Sequence, residues 1–213
     1  MKKIIIAGPP GAGKGTRATL ISKWLNIPHI STGDLFRKEI KEETELGLKA
    51  KEIMKSGELM PDEITVNLLK NRITQEDCKN GFILDGFPRT IKQAEMLKDL
   101  TEIDVFLNLN IGNETIIDRM TSRRTCKNCG AIFNVKTNKP KQEGICDHCS
   151  SELIQREDET MEVIQNRLKV YAEKTLPLLQ FYKDMNLIKE LDGELTIENP
   201  DFKTQLYQAL GVN

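Results

Sequence analysis

The chain has 213 residues, enough for one α/β domain with insertions. Charged residues make up 30% of it but balance to a formal net charge of −1, which argues against a general nucleic-acid binder with its basic excess. No apolar run approaches a membrane span, and the opening run Ile4-Ile5-Ile6-Ala7 is too short for a secretion signal, so the expected address is the cytoplasm, with the five cysteines not paired as disulfides.

The first predicted strand, Lys3–Ala7, runs straight into Gly8-Pro9-Pro10-Gly11-Ala12-Gly13-Lys14-Gly15-Thr16. A glycine-rich turn between a buried strand and a helix lets successive backbone N–H groups point at a polyphosphate, helped by the positive end of the helix. Lys14 adds a point charge for the outer phosphates, and the Thr16 hydroxyl can face magnesium, although Gly15 separates it from the lysine it normally follows. Ala18, Ile21 and Leu25 then recur at helical spacing.

A short strand at Pro28–Ile30 precedes a helix capped near Thr32-Gly33-Asp34. Lys41–Leu59 reads as one charged helix closed by Gly57, and Pro61-Asp62 opens another with Ile64, Leu68 and Leu69 inward. Strands are expected at Phe82–Asp85, Val105–Leu109 and Leu187–Leu191, and helices at Thr90–Leu100, Glu114–Ser122, Thr160–Met185 (divided or kinked by Pro177) and Asn199–Leu210. The alternation predicts a parallel sheet covered by helices.

The pattern breaks at Thr125–Gln155, an inserted subdomain with two CxxC knuckles, Cys126/Cys129 and Cys146/Cys149, sixteen residues apart. Four thiolates at this spacing can close a tetrahedral site, and the donor set points to a structural zinc ion with no open position. His148 inside the second knuckle is an alternative ligand, and Cys78 stands alone as a packing residue. Zinc ribbons often bind nucleic acids, but the loop between the knuckles has three lysines, no arginine and no aromatic platform.

Phe82-Ile83-Leu84-Asp85-Gly86-Phe87-Pro88-Arg89 is an apolar strand ending in a carboxylate. Asp85 is expected at the C-terminal edge of the sheet beside the phosphate loop, where an acid can orient magnesium directly or through water. The stiff turn after it presents Arg89.

Taken together, the glycine-rich loop, Ser31-Thr32-Gly33-Asp34-Leu35-Phe36-Arg37, Asp85-Gly86-Phe87-Pro88-Arg89 followed by Gln93, and Arg123-Arg124 before a cysteine-bearing segment resemble the adenylate kinases of the bacterial long-lid, zinc-carrying type. The likeness covers essentially the whole chain. It implies a P-loop nucleoside monophosphate kinase fold: a five-stranded parallel sheet flanked by helices (core 1–30, 61–121 and 160–213), an AMP-binding insertion at 31–60, and a zinc-binding lid at 122–159.

The implied reaction is reversible phosphoryl transfer from Mg-ATP to AMP, giving two ADP. The closest alternative is a kinase for UMP or CMP, and a zinc-ribbon NTPase stimulated by nucleic acid stands further off. The resemblance places Gly11, Ala12, Gly13, Lys14, Gly15, Thr16, Arg119, Arg123, Ile132, Phe133 and Leu195 at ATP, with Gly193 to Leu195 near the base. It places Thr32, Arg37, Glu58, Leu59, Met60, Gly86, Phe87, Pro88, Arg89, Gln93, Arg156 and Arg167 at AMP. The catalytic set it implies is Lys14, Asp85, Arg89, Arg123, Arg156 and Arg167, acting on ATP, AMP and ADP in a monomer with no membrane or nucleic-acid partner. Three departures stand out: Arg17 where the family commonly has Gln, Glu159 in place of the second Asp of the lid's RxDD, and Asn134 where many relatives have His. The first two are expected to alter little, and the third to weaken base stacking.

The residue chemistry agrees with such a transfer. An anionic phosphate acceptor, with a second pKa of about 6, needs no side chain to take its proton. The two histidines, His29 and His148, fall in no catalytic pattern. What remains is charge stabilisation and alignment, for which the bidentate guanidinium suits. Lysine outnumbers arginine 22 to 9, yet seven of the nine arginines (37, 89, 119, 123, 124, 156 and 167) fall in the matching segments, with Arg124 assigned to bracing the lid.

Overall fold

The computed structural model of the protein describes residues 2–211. Five strands form one sheet: β1 Lys2–Ala7, β2 His29–Ser31, β3 Gly81–Asp85, β4 Val105–Asn110 and β8 Ile188–Asp192. Their order is β2-β3-β1-β4-β8 and every pairing is parallel. The central position of β1 explains why Ile4, Ile5 and Ile6 are all buried, since a strand covered on both faces has no polar side. Ile4 and Ile6 face a cluster with Ala18, Ile21, Phe202 and Leu206, from α1 Lys14–Leu25 and α9 Pro200–Leu210. Ile5 faces the opposite cluster, with Val66 and Leu69 of α4 Asp62–Ile73, Ala94 and Leu97 of α5 Ile91–Leu100, and Leu178 and Tyr182 of α8 Pro177–Asp184.

The neighbours of β1, β3 and β4, lie on opposite sides of it, so the chain leaves β1 at the point where strand order reverses and a crevice opens. The glycine-rich loop occupies that crevice.

Strand boundaries differ from the sequence expectation by about one residue. β2 starts at His29 because Pro28 has no N–H for the ladder, and its carbonyl instead accepts from Ile83 N at 2.9 Å. The helix expected from Thr32 is α2 Thr32–Lys41, and the charged helix expected over Lys41–Leu59 is the shorter α3 Glu45–Ser56. Glu43 breaks the run with φ 52°, and the Thr44 hydroxyl then caps α3 by accepting from Gly47 N at 2.9 Å. Gly57 closes α3 at φ 81°, as expected. Ile64 and Leu68 of α4 do not face the sheet; they pack against Phe36, Ala50 and Met60, so α4 serves two clusters.

The long C-terminal helix is divided at Pro177, as expected. A wide π-turn over Tyr171–Thr175 follows α7 Met161–Val170, Leu176 N donates to Tyr171 O at 3.0 Å, and Pro177 takes the first turn of α8, where its missing N–H costs nothing. After α6 Asn113–Thr121 the cysteine-bearing segment forms a three-stranded antiparallel sheet in the order β6-β5-β7, from β5 Arg123–Cys126, β6 Ile132–Asn134 and β7 Leu153–Ile154. Its interior is the small cluster Cys126, Phe133, Cys146 and Leu153.

Candidate active site and cysteine centre

Three glycines of the loop, Gly8, Gly11 and Gly13, take positive φ; Gly15 does not, because α1 has already begun at Lys14. Gly13 is the decisive one: a Cβ there would lie 2.4 Å from the Arg17 guanidinium, so only glycine lets that side chain fold back over the loop. Lys14 Nζ donates to Gly8 O at 2.9 Å and Pro9 O at 2.8 Å, resting on the loop's own carbonyls. Asp85 ends β3 beside the loop, its Oδ2 3.5 Å from where a Gly15 Cβ would stand and 3.2 Å from His29 Nε2. Thr16 is exposed at the first turn of α1.

Next to the loop lies a concave pocket lined by Thr32, Glu58, Leu59, Met60, Gly86, Arg89 and Gln93, with Phe36, Met54 and Thr65 among its walls. Thr32 Oγ1 donates to Gly86 O at 2.9 Å and Arg89 Nε to the same carbonyl at 2.7 Å, which fixes both at the pocket mouth. The Gln93 amide accepts from Arg89 N at 2.7 Å and donates to Asp62 at 2.8 Å. Arg37 is turned onto Asp34 at 2.5 Å; burial would raise the Asp34 carboxyl, but this guanidinium holds it below the usual range. Asn166 of α7 donates to Ser56 O at 2.8 Å and Glu58 at 3.0 Å, tying the end of α3 to the C-terminal helix.

Between the loop and the pocket the cations crowd one another. Burial pushes Lys14 down to about 7, reinforced by Arg89, Arg167 and Arg123 and only partly opposed by Asp85. Burial likewise holds Arg89 down to about 10, with Arg167 adding to it, and Arg156 down to about 10, with Arg37 and Arg123 adding to it. Arg167 is lowered first by burial and further by Arg123, while Asp158 opposes. Besides Arg37 on Asp34, Arg123 pairs with the fully buried Glu159, and Arg167 meets Asp158 at 2.8 Å. Glu159 Oε2 has no partner at all. This is a site with an excess of buried positive charge, suited to several phosphates at once.

The remaining expected residues fall in two places. Arg119 donates to Gly193 O at 2.8 Å and Glu194 O at 3.3 Å, and Arg156 Nε to Thr125 Oγ1 at 2.9 Å. Arg124 donates to Arg123 O at 2.7 Å and Thr121 O at 3.2 Å, so it braces the start of the cysteine-bearing segment. Ile132 is exposed, whereas the Phe133 side chain is buried within that segment's own cluster. Phe87 is buried under the sheet and Pro88 follows it through a cis peptide bond. Asn134 works locally: it accepts from Lys136 N at 2.8 Å and Thr137 N at 3.0 Å and donates to Ser122 Oγ at 3.1 Å.

The four sulfurs of Cys126, Cys129, Cys146 and Cys149 lie within 4.8 Å of one another. The Cys126–Cys149 and Cys129–Cys146 separations are 3.4 and 3.6 Å, close to the edge of about 3.8 Å that a tetrahedron with ~2.3 Å metal–sulfur bonds requires. Gly130 and Ser150 take positive φ after each knuckle, and their amides close the turns onto Cys126 O and Cys146 O at 3.0 and 2.9 Å. Cys129 N and His148 N point at sulfur, at 3.5 and 3.4 Å. The Ser151 backbone and hydroxyl hold the Cys149 thiol down to about 5, the thiolate form a metal takes. The His148 ring instead lies against Phe133, 6.0 Å between centroids. The donor set and geometry fit a structural zinc ion.

One residue that sequence reasoning treated as a minor departure is prominent. Arg17 is buried, stacks 4.8 Å from the Phe202 ring and joins the phosphate loop to Gly193–Leu195. The signal was present: Lys14, Arg17, Ala18, Ile21 and Leu25 share the inward stripe of α1, and an arginine in such a stripe needs partners. Glu159, longer than aspartate, reaches Arg123 from a fully buried position, which its place in a polar stretch did not suggest.

Comparison with known proteins gives a consistent result. The adenylate kinase family model matches residues 6–187. The chain is 51% identical over 201 residues to an adenylate kinase of Clostridium botulinum strain Loch Maree, covering 92% of this chain and 93% of that protein. It is 52% identical to one from Clostridium novyi, with the same coverage, and 51% identical to one from Clostridium tetani, covering 89% and 90%.

The depressed Lys14 has a measurable signature. Above pH 7 the unfolded chain keeps a proton that the folded chain gives up, so the nucleotide-free protein gains stability as pH rises from about 7 toward the ordinary lysine value. A bound polyphosphate reverses the shift, so ATP binding at about pH 8.5 takes up to about one proton per site. Calorimetry in buffers of different ionisation enthalpy reads this directly, and Lys14→Met abolishes it. Binding without proton uptake by the unaltered protein would refute the assignment.

Proposed function

The chain belongs to the adenylate kinase family, and on that premise we propose that it transfers a phosphoryl group reversibly from Mg-ATP to AMP, giving two ADP. The observation that carries this reading is the cluster of partly buried cations, Lys14, Arg89, Arg123 and Arg167, between a glycine-rich phosphate loop and a concave pocket. In it, backbone amides of Gly11 to Thr16 and the Lys14 ammonium hold the donor phosphates, with Arg119 at the donor side. Thr32, Gly86 and Arg89 hold the acceptor, its base entering the pocket walled by Leu59 and Met60 and bordered by Gln93.

Arg123, Arg156 and Arg167 close on the phosphates undergoing transfer. With no nucleotide present, Glu159 and Asp158 engage Arg123 and Arg167; incoming phosphate oxygens compete for the same guanidinium N–H groups. No general base is required, because the acceptor oxygen is already anionic. Magnesium entering with ATP supplies charge neutralisation at the phosphates, and Asp85 and Thr16 are the residues that would hold it, directly or through water.

The same reading divides the chain into a core, an AMP-binding insertion at 31–60 and a lid at 122–159. Closure of the two insertions excludes water, which would otherwise take the phosphoryl group. Zinc in the four-cysteine centre supplies much of the lid's folding free energy, since its apolar cluster is small. The finer attributes, a monomer working in the cytoplasm, belong to the same proposal.

Initial rates with ATP and each of AMP, GMP, CMP, UMP and water as acceptor test the reaction. AMP is expected to give the highest rate and water a negligible one. Arg89→Ala lowers kcat with AMP by about a hundredfold or more, through loss of charge in a dry site; near-normal turnover would reject its role. A preference for UMP or CMP would move the chain to the sister activity.

Metal removal tests the cysteine centre separately. Chelation, or Cys126→Ser, lowers the melting temperature by about 5 °C or more. An unchanged melting profile after verified metal loss would show that the four thiols carry no structural ion.

A further inference from the structure

A loop that reads a purine through backbone carbonyls selects a 6-amino group, because a carbonyl accepts and an amino group donates. In this chain the carbonyls of Gly193–Leu195 are already engaged. Gly193 O accepts from Arg17 Nη2 at 3.1 Å and Arg119 Nη1 at 2.8 Å, which uses both its lone pairs. Glu194 O accepts from Arg119 at 3.3 Å, and Leu195 O accepts from Arg17 Nη2 at 2.5 Å.

Arg17 is not free to leave. Its Nη1 holds Ala12 O at 3.1 Å and Gly13 O at 3.4 Å, its guanidinium lies over the Phe202 ring, and it is only 3% exposed. Its Nε is buried with no partner. Two guanidinium groups thus occupy the carbonyls that a base-reading loop would otherwise offer as bare acceptors.

We propose that Arg17 is a specificity-determining residue for the base of the phosphoryl donor: by capping the Gly193 and Leu195 carbonyls it lets the site take a 6-oxo purine nearly as well as a 6-amino purine. This rests on the reading above that the donor lies across the phosphate loop with its base at Gly193–Leu195. A 6-oxo group is an acceptor, and with the Gly193 and Leu195 carbonyls capped it is not faced by bare lone pairs that would repel it. A 6-amino group meets carbonyls already polarised toward a cation, where its own partial positive charge is repelled.

ATP and inosine triphosphate differ only at the 6-position and N1 of the base, so their ratio isolates the effect. Equilibrium binding of each by calorimetry is measured on the unaltered protein, Arg17→Gln and Arg17→Met, together with kcat/KM for each donor with AMP as acceptor. The expected result is a preference for ATP of less than about tenfold in the unaltered protein, widening by about tenfold or more in Arg17→Gln, with KM for AMP unmoved. A preference above tenfold in the unaltered protein, or one that does not widen in a folded variant, overturns the proposal. Should neither variant fold, the ratio of the unaltered protein decides alone. A merely structural role for Arg17 lowers stability without moving the ratio. Because binding is read without turnover, absence of transfer to AMP would sink the assigned reaction while leaving the base preference measurable.

Discussion

Unbalanced positive charge, held half-buried at the mouth of a parallel sheet, is the constraint around which the molecule is arranged. Lysine and arginine are costly to desolvate, and here several are desolvated together with few carboxylates to answer them. The structure contains the cost in two ways. Backbone carbonyls take up the donors of Lys14, Arg17, Arg89 and Arg119, and two acids from the segment before α7 take up Arg123 and Arg167. Both arrangements are provisional for groups that face the cleft, since a carbonyl or carboxylate can be exchanged for a phosphate oxygen at small net cost. An anionic ligand therefore releases free energy already stored in the site.

The fold supplies the rigid side of that arrangement. β1 is buried from Ile4 to Ala7, and the loop that leaves it is backed by α6: a Cβ on Gly11 would stand 2.9 Å from Met120 and 3.0 Å from Ile116 O. The acceptor side is set by β3, whose last residue is Asp85 and whose following turn presents Arg89. Thr175 Oγ1, from the wide turn after α7, donates to Arg89 O at 3.0 Å. Arg123 and Arg167 come instead from the small antiparallel sheet and α7, elements with their own minor clusters. The phosphate loop and the arginines facing it thereby rest on different hydrophobic clusters of the chain.

Much of this was legible in the residues. The apolar run before the glycine-rich loop, the carboxylate ending β3 and the two CxxC knuckles each encode local geometry, and each appears where its spacing placed it. Features set by long-range partners were not legible. Glu43 breaks the helical run by adopting positive φ, a choice no propensity at 41–45 reveals. Pro177 opens α8 where its missing N–H is expected to fall, but nothing in 171–175 signals the widened turn ahead of it. Asn134 reads as a substitution at a base-stacking position, but its amide is spent on closing a turn. Arg17 was judged by the family's usual residue rather than by its place in the inward stripe of α1.

The wide turn at Tyr171–Thr175 has a geometric corollary. One extra residue in a helix advances every later side chain by roughly 100° around the axis. Ile164, ahead of it, seats against Ile116 and Met120 of α6, whereas Leu178 and Tyr182, beyond it, seat against Phe106 and the sheet. The α7–α8 stretch is thus clocked to two different hydrophobic sockets, and deleting one residue from the bulge would put one half out of phase with its socket while replacing the wide Leu176 N–Tyr171 O bond by ordinary helical spacing.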